Sequence, residues 1–551
     1  MSFAAANPPR ERKIDLPLVG LAVTLMAAAG LRLYGVDWDA GHLFHPDERH
    51  ILMVTDRIGL PWPPDLQQLL DPKSPLNPQS FAYGSLVFYL LKLVAQVASW
   101  LGELGGPLAQ LTRATELDGL RIVGRLLSAG FDLGTVAMTF ALGRRLYGQT
   151  VGLLGALFVA FSVIHIQLAH FYASDTLLTL FVVLVVFFSL RLMQGCSLRY
   201  SVLVGLALGL ALATKVSGLP VVLALAAAHG LRLFTTAVEH ERGATGLRVR
   251  LPSLSELEGA VLSLLITGLA AFAVFAIAEP YAIIDAKTFF SHLDEQNRMV
   301  RGVADLPYTR QYIDRAPYLY FVQNLSTWGV GLPLGIVMVG GTLFVLGRSL
   351  LGLRPGELVV LAWVLPYFLI TGSFHAKFLR YLLPISPFFS LFAACLLVAM
   401  ARSLSGRRHG SPLGVFGRVG GPFLRLRLPS GSVVGVGIVG LVIVATIFYA
   451  LAFANIYSAQ HPGVRASEWI YRNVPDGAHI AREHWEEGLP VTVQDVDGQH
   501  DPRRHGYVIN TLNMYDQDNS AKLDHLVQVL GDSDYIVFYS QRLYGTLPRL
   551  P

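Results

Sequence analysis

Apolar residues along this chain gather in long uninterrupted runs, not at the spacing of a soluble amphipathic helix or strand. Eleven runs predict membrane-spanning helices, at about 16–35, 121–143, 149–168, 175–193, 200–213, 217–233, 259–279, 322–346, 357–372, 380–401 and 432–454. About 20 apolar residues in helical form cross ~30 Å of hydrocarbon, so most runs suffice and the fifth is short. A further apolar run, 84–101, is assigned to a helix lying in the outer interface. With the N-terminus inside, that assignment puts Arg144-Arg145, Arg191 and Arg199, Arg232 to Arg250, Arg348 and Arg354, and the Arg402–Arg427 cluster on the inner side. Cytoplasmic loops carry the excess of Lys and Arg. If 84–101 crossed, every cluster would flip outward.

Polar stretches then divide the chain. Residues 1–15 form a cytoplasmic N-terminus, and 16–401 form the membrane core with a long outer loop at 36–120 and a second at 280–321. A basic inner linker, 402–431, precedes the last span, and 455–551 reads as a small extracytoplasmic α/β domain. In that tail, Val464–Asn473 predicts an amphipathic helix with Trp469 and Ile470 on one face. Ala521–Leu530 predicts a second helix, and Tyr535–Tyr539 a strand. The fold class is therefore an all-α polytopic membrane protein with a small α/β tail.

Composition supports this. Hydrophobic residues make up 53% and charged residues 15%, against about 25% charged in soluble domains. The formal net charge of +5 sits in loop arginines, which fits membrane topology and phosphate binding and excludes a nucleic-acid role. No P-loop, zinc finger or periodic repeat is present. Cys196 and Cys395 lie far apart and define neither a disulfide framework nor a metal cluster. Arg10, Arg12 and Lys13 before the first run fit an uncleaved first span.

The candidate chemistry lies in the outer loops. His45-Pro46-Asp47-Glu48-Arg49 places two carboxylates shortly after the first span. Pro and acidic residues also favour a helix start, and a catalytic carboxylate can occupy such a start. Lys377 and Arg380, three apart, project to one side of a helix between the ninth and tenth spans. Lys215 interrupts an apolar stretch at an outer turn, where an ionisable group is a functional candidate. Asp175 opens the fourth span as a helix cap or a ligand. Arg298, Arg301, Arg310 and Arg315 add cations in the second outer loop, where His292 and Glu295 read as ordinary polar groups. Cations near the head-group level suit a lipid phosphate. A carboxylate base opposite a leaving phosphate would activate a hydroxyl and invert an anomeric carbon. A transporter would instead show internal repeats and charges near the midplane.

In ordered series, these motifs resemble the GT-C glycosyltransferases, in the branch of the protein O-mannosyltransferases and the lipid A aminoarabinose transferase. His45–Arg49 resembles the family's Asp-Glu motif in the first outer loop. Gly119-Leu120-Arg121 and the run ending Gly143–Gly148 are similar to its second span. Tyr172–Asp175, Gly205–Gly218 with Thr214-Lys215, Arg315-Ala316-Pro317 and Lys377–Pro384 resemble later family segments. The resemblance implies Asp47 as the base, with Glu48 as its catalytic neighbour. It implies Lys377, Arg380, Arg315 and Lys215 as donor-phosphate ligands. His45, Asp175, Arg298 and Arg301 are candidates to touch substrate. It implies a polyprenyl-phosphate-sugar donor, a hydroxyl acceptor, and no required cofactor or divalent metal. Departures exist: the Glu-Lys-Pro and His-Pro-Pro elements of the two subgroups are missing from the first loop. The tail lacks the Trp-Trp-Asp motif of the oligosaccharyltransferases, which disfavours transfer to asparagine. The expected place is a prokaryotic plasma membrane. The competing reading is a lipid-binding or transport protein without transferase activity.

Overall fold

The computed structural model describes residues 15–61, 63, 65–239, 252–404, 431–484, 488–495 and 498–539. Among these, ten helices are long and apolar enough to cross a membrane, and a bent pair makes an eleventh. Residues 405–430 of the basic linker and Arg242, Arg248 and Arg250 lie outside the described residues.

Eleven passes build the bundle, not counting the short loop helix α2 (Pro46–Arg57) and the apolar helix α3 (Ser85–Gly102) that follow the first: α1 (Leu16–Leu33), α4 (Leu117–Tyr147), the bent pair α5 (Gln149–Ala160) and α6 (Val163–Ala169), α7 (Ser174–Leu192), α8 (Leu198–Thr214), α9 (Val222–Glu239) and α10 (Leu254–Ala278). The loop helix α11 (Ala286–Val300) follows, then α12 (Leu332–Gly352), α13 (Pro355–Gly372), α14 (Ser386–Leu404) and α15 (Gly431–Ala454). Span eight begins later than its apolar run suggests. A short helix at Leu319–Asn324 and a π turn at Leu325–Gly329 precede it. Of the spanning helices, α7 and the segment Leu379–Leu404 are the most buried and form the middle of the core.

Helix contacts follow side-chain size. Gly205 and Gly209 of α8 lie directly against Thr267, Ala270, Ala271 and Val274 of α10, an approach that any Cβ would block. The α5–α6 pair bends by 55°. At the bend, the Ala160 carbonyl has no partner within its helix and accepts from Arg32 Nη1 at 2.9 Å. Asp132 on α4 balances that arginine, with Arg32 Nε 2.6 Å from Asp132 Oδ2. Inside a membrane a broken helix persists only where its freed backbone groups find such partners.

Helix α3 is apolar and long, yet both its ends lie at one end of the bundle. At its start, Gly84 N donates to Thr214 O at 3.0 Å and Ser85 Oγ to Glu279 at 2.9 Å, at the ends of α8 and α10. At its finish, Ser99 Oγ donates to Thr112 O at 2.9 Å, and Gly119 at the start of α4 packs on Arg113 and Ala114. The ends of α1 and α6 share this face, since Trp38 and Tyr34 both bond to His170. The chain therefore makes no net crossing through α3.

The tail folds on the same face. Helices α16 (Pro462–Asn473) and α17 (Ser520–Gly531) match the two expected ones within two residues. Strands β1 (His479–Glu483), β4 (Val508–Leu512) and β5 (Tyr535–Val537) form a parallel sheet in the order β4-β1-β5. Strands β2 (Val493–Asp495) and β3 (Gly498–His500) pair antiparallel. Phe44, from the first loop, is buried in the tail's own core with Val464, Ile470, Ile480 and Tyr507. Its ring stacks on His461 at 4.1 Å, and Trp38 meets the same imidazole at 5.4 Å.

Candidate active site

The site begins where α2 starts. Pro46 opens the helix, and the His45 imidazole Nδ1 accepts from the Glu48 amide at 3.3 Å. His45 stacks on Phe171 at 3.5 Å. Burial, then the neighbouring Arg380 and Arg125, hold its pKa well below the usual histidine value, so the cap stays neutral.

Asp47 and Glu48 are adjacent in sequence and face opposite environments. The Asp47 carboxylate pairs with Arg380, which also lies over the Phe378 ring at 5.0 Å. Glu48 points inward and is wholly buried. Its Oε1 accepts from Arg125 Nε and from the Tyr172 amide, each at 2.9 Å, and its Oε2 accepts from Arg125 at 2.6 Å. Arg125 is shared with Asp39, at 2.7 and 3.0 Å, and Arg121 reaches Asp39 at 3.2 Å. Burial raises the Glu48 pKa against the pull of Arg125. For Asp39, burial also pushes upward, but Arg125 and Arg121 outweigh it and the net shift is downward. Both Glu48 oxygens are thus taken up by Arg125 and the Tyr172 amide, and these bonds anchor the start of α2.

A second ion pair stands beside the first. Lys215 Nζ lies 3.1 Å from Asp175 Oδ1, with the Tyr381 ring 5.6 Å and the Tyr83 ring 6.0 Å from the ammonium. Burial lowers the Lys215 pKa, and Asp175 and Tyr381 more than reverse it, so the ammonium stays charged. The other Asp175 oxygen and the Ser174 hydroxyl are buried with no hydrogen-bond partner among the described residues. Buried polar atoms of this kind call for an explanation such as a ligand or ordered water.

Lys377 is buried and donates to the His375 carbonyl at 3.1 Å; desolvation lowers its pKa. Val300 at the end of α11 accepts from the His375 amide at 2.8 Å and fastens this segment to the second loop. Arg298, Arg301 and Arg315 lie on the second outer loop, which meets the 375–380 segment through Val300 and Tyr312. All three are exposed, and none makes a side-chain hydrogen bond or ion pair among the described residues. Arg310 instead pairs with Asp305 at 2.7 Å and lies 5.8 Å from the Tyr515 ring of the tail. Among the described residues, no three His, Cys, Asp or Glu side chains gather as metal ligands would.

An apolar cavity of about 200 Å³ opens between α12, α13 and α14, lined by Leu325, Met338, Leu346, Phe368, Leu382 and Phe389. Leu382 follows Arg380 by two positions. The ion cluster around Arg125 escaped the sequence reading, although Arg121 and Arg125 inside one apolar span were its signal.

Residues 111–255 match the family model described as dolichyl-phosphate-mannose-protein mannosyltransferase. No curated protein sequence gives a significant match. The apo oligosaccharyltransferase of Archaeoglobus fulgidus is similar in structure over 86% of this chain, at 14% identity and a TM-score of 0.50. This chain spans 63% of that protein's length. ArnT from Cupriavidus metallidurans, solved bound to undecaprenyl phosphate, aligns over 97% of this chain and 95% of its own, at 15% identity and a TM-score of 0.46. The S. cerevisiae Pmt1-Pmt2 complex aligns over 51% of this chain and 35% of its own, at 16% identity and a TM-score of 0.34. The chain is a multi-pass membrane protein with the GT-C fold.

Proposed function

We propose that the protein is an inverting glycosyltransferase that moves a sugar from a polyprenyl-phosphate lipid to a hydroxyl acceptor at the outer face of the membrane. The observation that carries this reading is the Asp47–Arg380 ion pair, with Leu382, two residues beyond Arg380, lining an apolar cavity. It joins a base, an anion site and a place for an isoprenoid tail.

The donor's phosphate competes with Asp47 for Arg380. Once the phosphate takes the guanidinium, the carboxylate is released to act as the base. Lys377 and Lys215 add positive charge from the flanking segments. Asp47 then takes the proton of the acceptor hydroxyl as its oxygen attacks the anomeric carbon from the face opposite the phosphate. The new glycosidic C–O bond forms while the sugar–phosphate C–O bond breaks, and the electron pair leaves on the phosphate. Arg380 stabilises that growing charge. The open oxygen of Asp175 accepts from a sugar hydroxyl, and His45, neutral and stacked, shapes the floor. Arg315, Arg298 and Arg301 attract the anionic head group from the rim. The N-terminus is cytoplasmic, and the tail stands on the acceptor side.

The test supplies radiolabelled polyprenyl-phosphate sugars to the purified protein, with membrane extract as acceptor source, beside Asp47→Asn. Label transferred or released by the wild type alone supports the reading. No release from any sugar tested overturns it in favour of a lipid-binding or transport role.

A further inference from the structure

The membrane core holds a second polar network with no part in the chemistry above. Arg32, Asp132 and His165 come from α1, α4 and α6 and are wholly buried. Asp132 Oδ2 takes Arg32 at 2.6 Å, and Asp132 Oδ1 lies 2.6 Å from His165 Nδ1. The other imidazole nitrogen lies 2.7 Å from Ser386 Oγ, and Ser386 is bonded in turn to the Leu383 carbonyl at 2.8 Å.

Burying such charges costs more than filling the same space with leucine or phenylalanine, so stability alone does not account for the network. Its position does. Past His165, α6 delivers Phe171, which stacks on His45, and Tyr172, whose amide holds Glu48. Those contacts set the start of α2 and hence Asp47. Just before Ser386 runs the 3-10 segment Leu379–Ile385, which carries Arg380. Gly329 of the π turn packs between Leu379 and Ile164 at the same level. The two segments that place the base and the phosphate ligand thus leave the bundle side by side, and one hydrogen-bonded chain ties their roots.

We propose that Asp132, His165 and Ser386 form a positioning chain that fixes the Arg380 segment against the Asp47 helix, with Arg32 neutralising its buried end. This deepens the transferase reading and rests on it for the identity of the reaction.

The experiment uses the full-length protein in lipid nanodiscs, with Ser386→Ala as the mild variant, Ser386→Thr as the conservative one, and His165→Asn as the stronger cut. Asn at 165 is long enough to reach Asp132 and too short to reach Ser386. Three quantities are read: unfolding temperature, hydrogen–deuterium exchange of the amides in 377–385, and kcat and KM for the donor. Ser386→Ala is expected to keep the unfolding temperature and to speed exchange in 377–385 roughly tenfold, as loss of one buried hydrogen bond allows. It is expected to lower kcat roughly tenfold, with Ser386→Thr restoring both. Unchanged exchange in 377–385 in the folded Ser386→Ala and His165→Asn variants overturns the proposal. A lower unfolding temperature alone, with exchange and kcat intact, overturns it equally, because it marks a structural contact only. If the wild type turns over no donor, the exchange comparison still decides the positioning chain, and the loss falls on the transferase reading.

Discussion

Asp47 and Arg380 form an ion pair although one begins the first loop helix and the other follows the ninth pass. Neither ion is free while they are paired, so in the proposed mechanism donor and base compete for one guanidinium. Asp47→Asn is therefore expected to have two opposite effects. Turnover falls by about 10²–10⁴, the range for a lost general base. Affinity for polyprenyl phosphate rises, because Arg380 no longer has an internal anion. Single-turnover kinetics and direct lipid-phosphate binding on the same preparation check both. Weaker phosphate binding in the variant would contradict the competition.

Glu48 next door should behave differently. Glu48→Gln removes one charge from the buried cluster with Arg125 and Asp39. Breaking a buried pair in this way is expected to cost roughly 3 kcal/mol of stability. Thermal unfolding in detergent reads the cost, and the folded fraction should keep its turnover within an order of magnitude. A Glu48→Gln protein of normal stability and no activity would return this residue to the chemistry.

Glu279 gives a pH dependence. Burial pushes its carboxyl up to about 8, against the two Ser85 hydrogen bonds that pull it down. The native state thus holds a proton that the unfolded chain releases near the ordinary glutamate value of 4.5. The stability it confers is full below about 4.5 and is lost as pH rises to about 8. Glu279→Gln, neutral at every pH, should match the wild type at the acid end and exceed it at the alkaline end of that window. Unfolding temperatures measured across the range read this, and parallel curves would refute it.

Phe44 tests the tail. Phe44→Ala removes a ring buried in the tail core and is expected to cost about 3–5 kcal/mol where that core closes. Limited proteolysis should then cut within 455–539 far faster than in the wild type. Transfer should fall as well, because Phe44 directly precedes His45 and the start of α2.

The hydrophobic pattern makes the eleven passes legible because hydrocarbon admits only segments that satisfy their own backbone. It hides the bend between α5 and α6, where neither Pro nor Gly marks the break and Arg32 supplies the missing partner from another helix. Adjacent helix positions point about 100° apart, which is why Asp47 opens outward and Glu48 inward although both lie in one motif. Sequence spacing alone has no access to that choice. The Lys215–Asp175 pair joins two turns that only tertiary packing brings together. In the tail, β1 reads His-Ile-Ala-Arg-Glu, too mixed for an alternation signal, whereas the aromatic-rich β5 is visible. Arg315, Arg298 and Arg301 are exposed on the second outer loop, and that exposure depends on how the loop folds.

The burial of Phe44 inside the tail also bears on the order in which the protein matures. Ribosomes deliver the first loop early and residues 455–539 only after ten further passes have been made. Until then Phe44 has no core to enter, and the loop leading to Asp47 lacks that anchor. A nascent chain can therefore insert its membrane bundle and still carry an unfinished site, which becomes complete only as the tail folds around that ring.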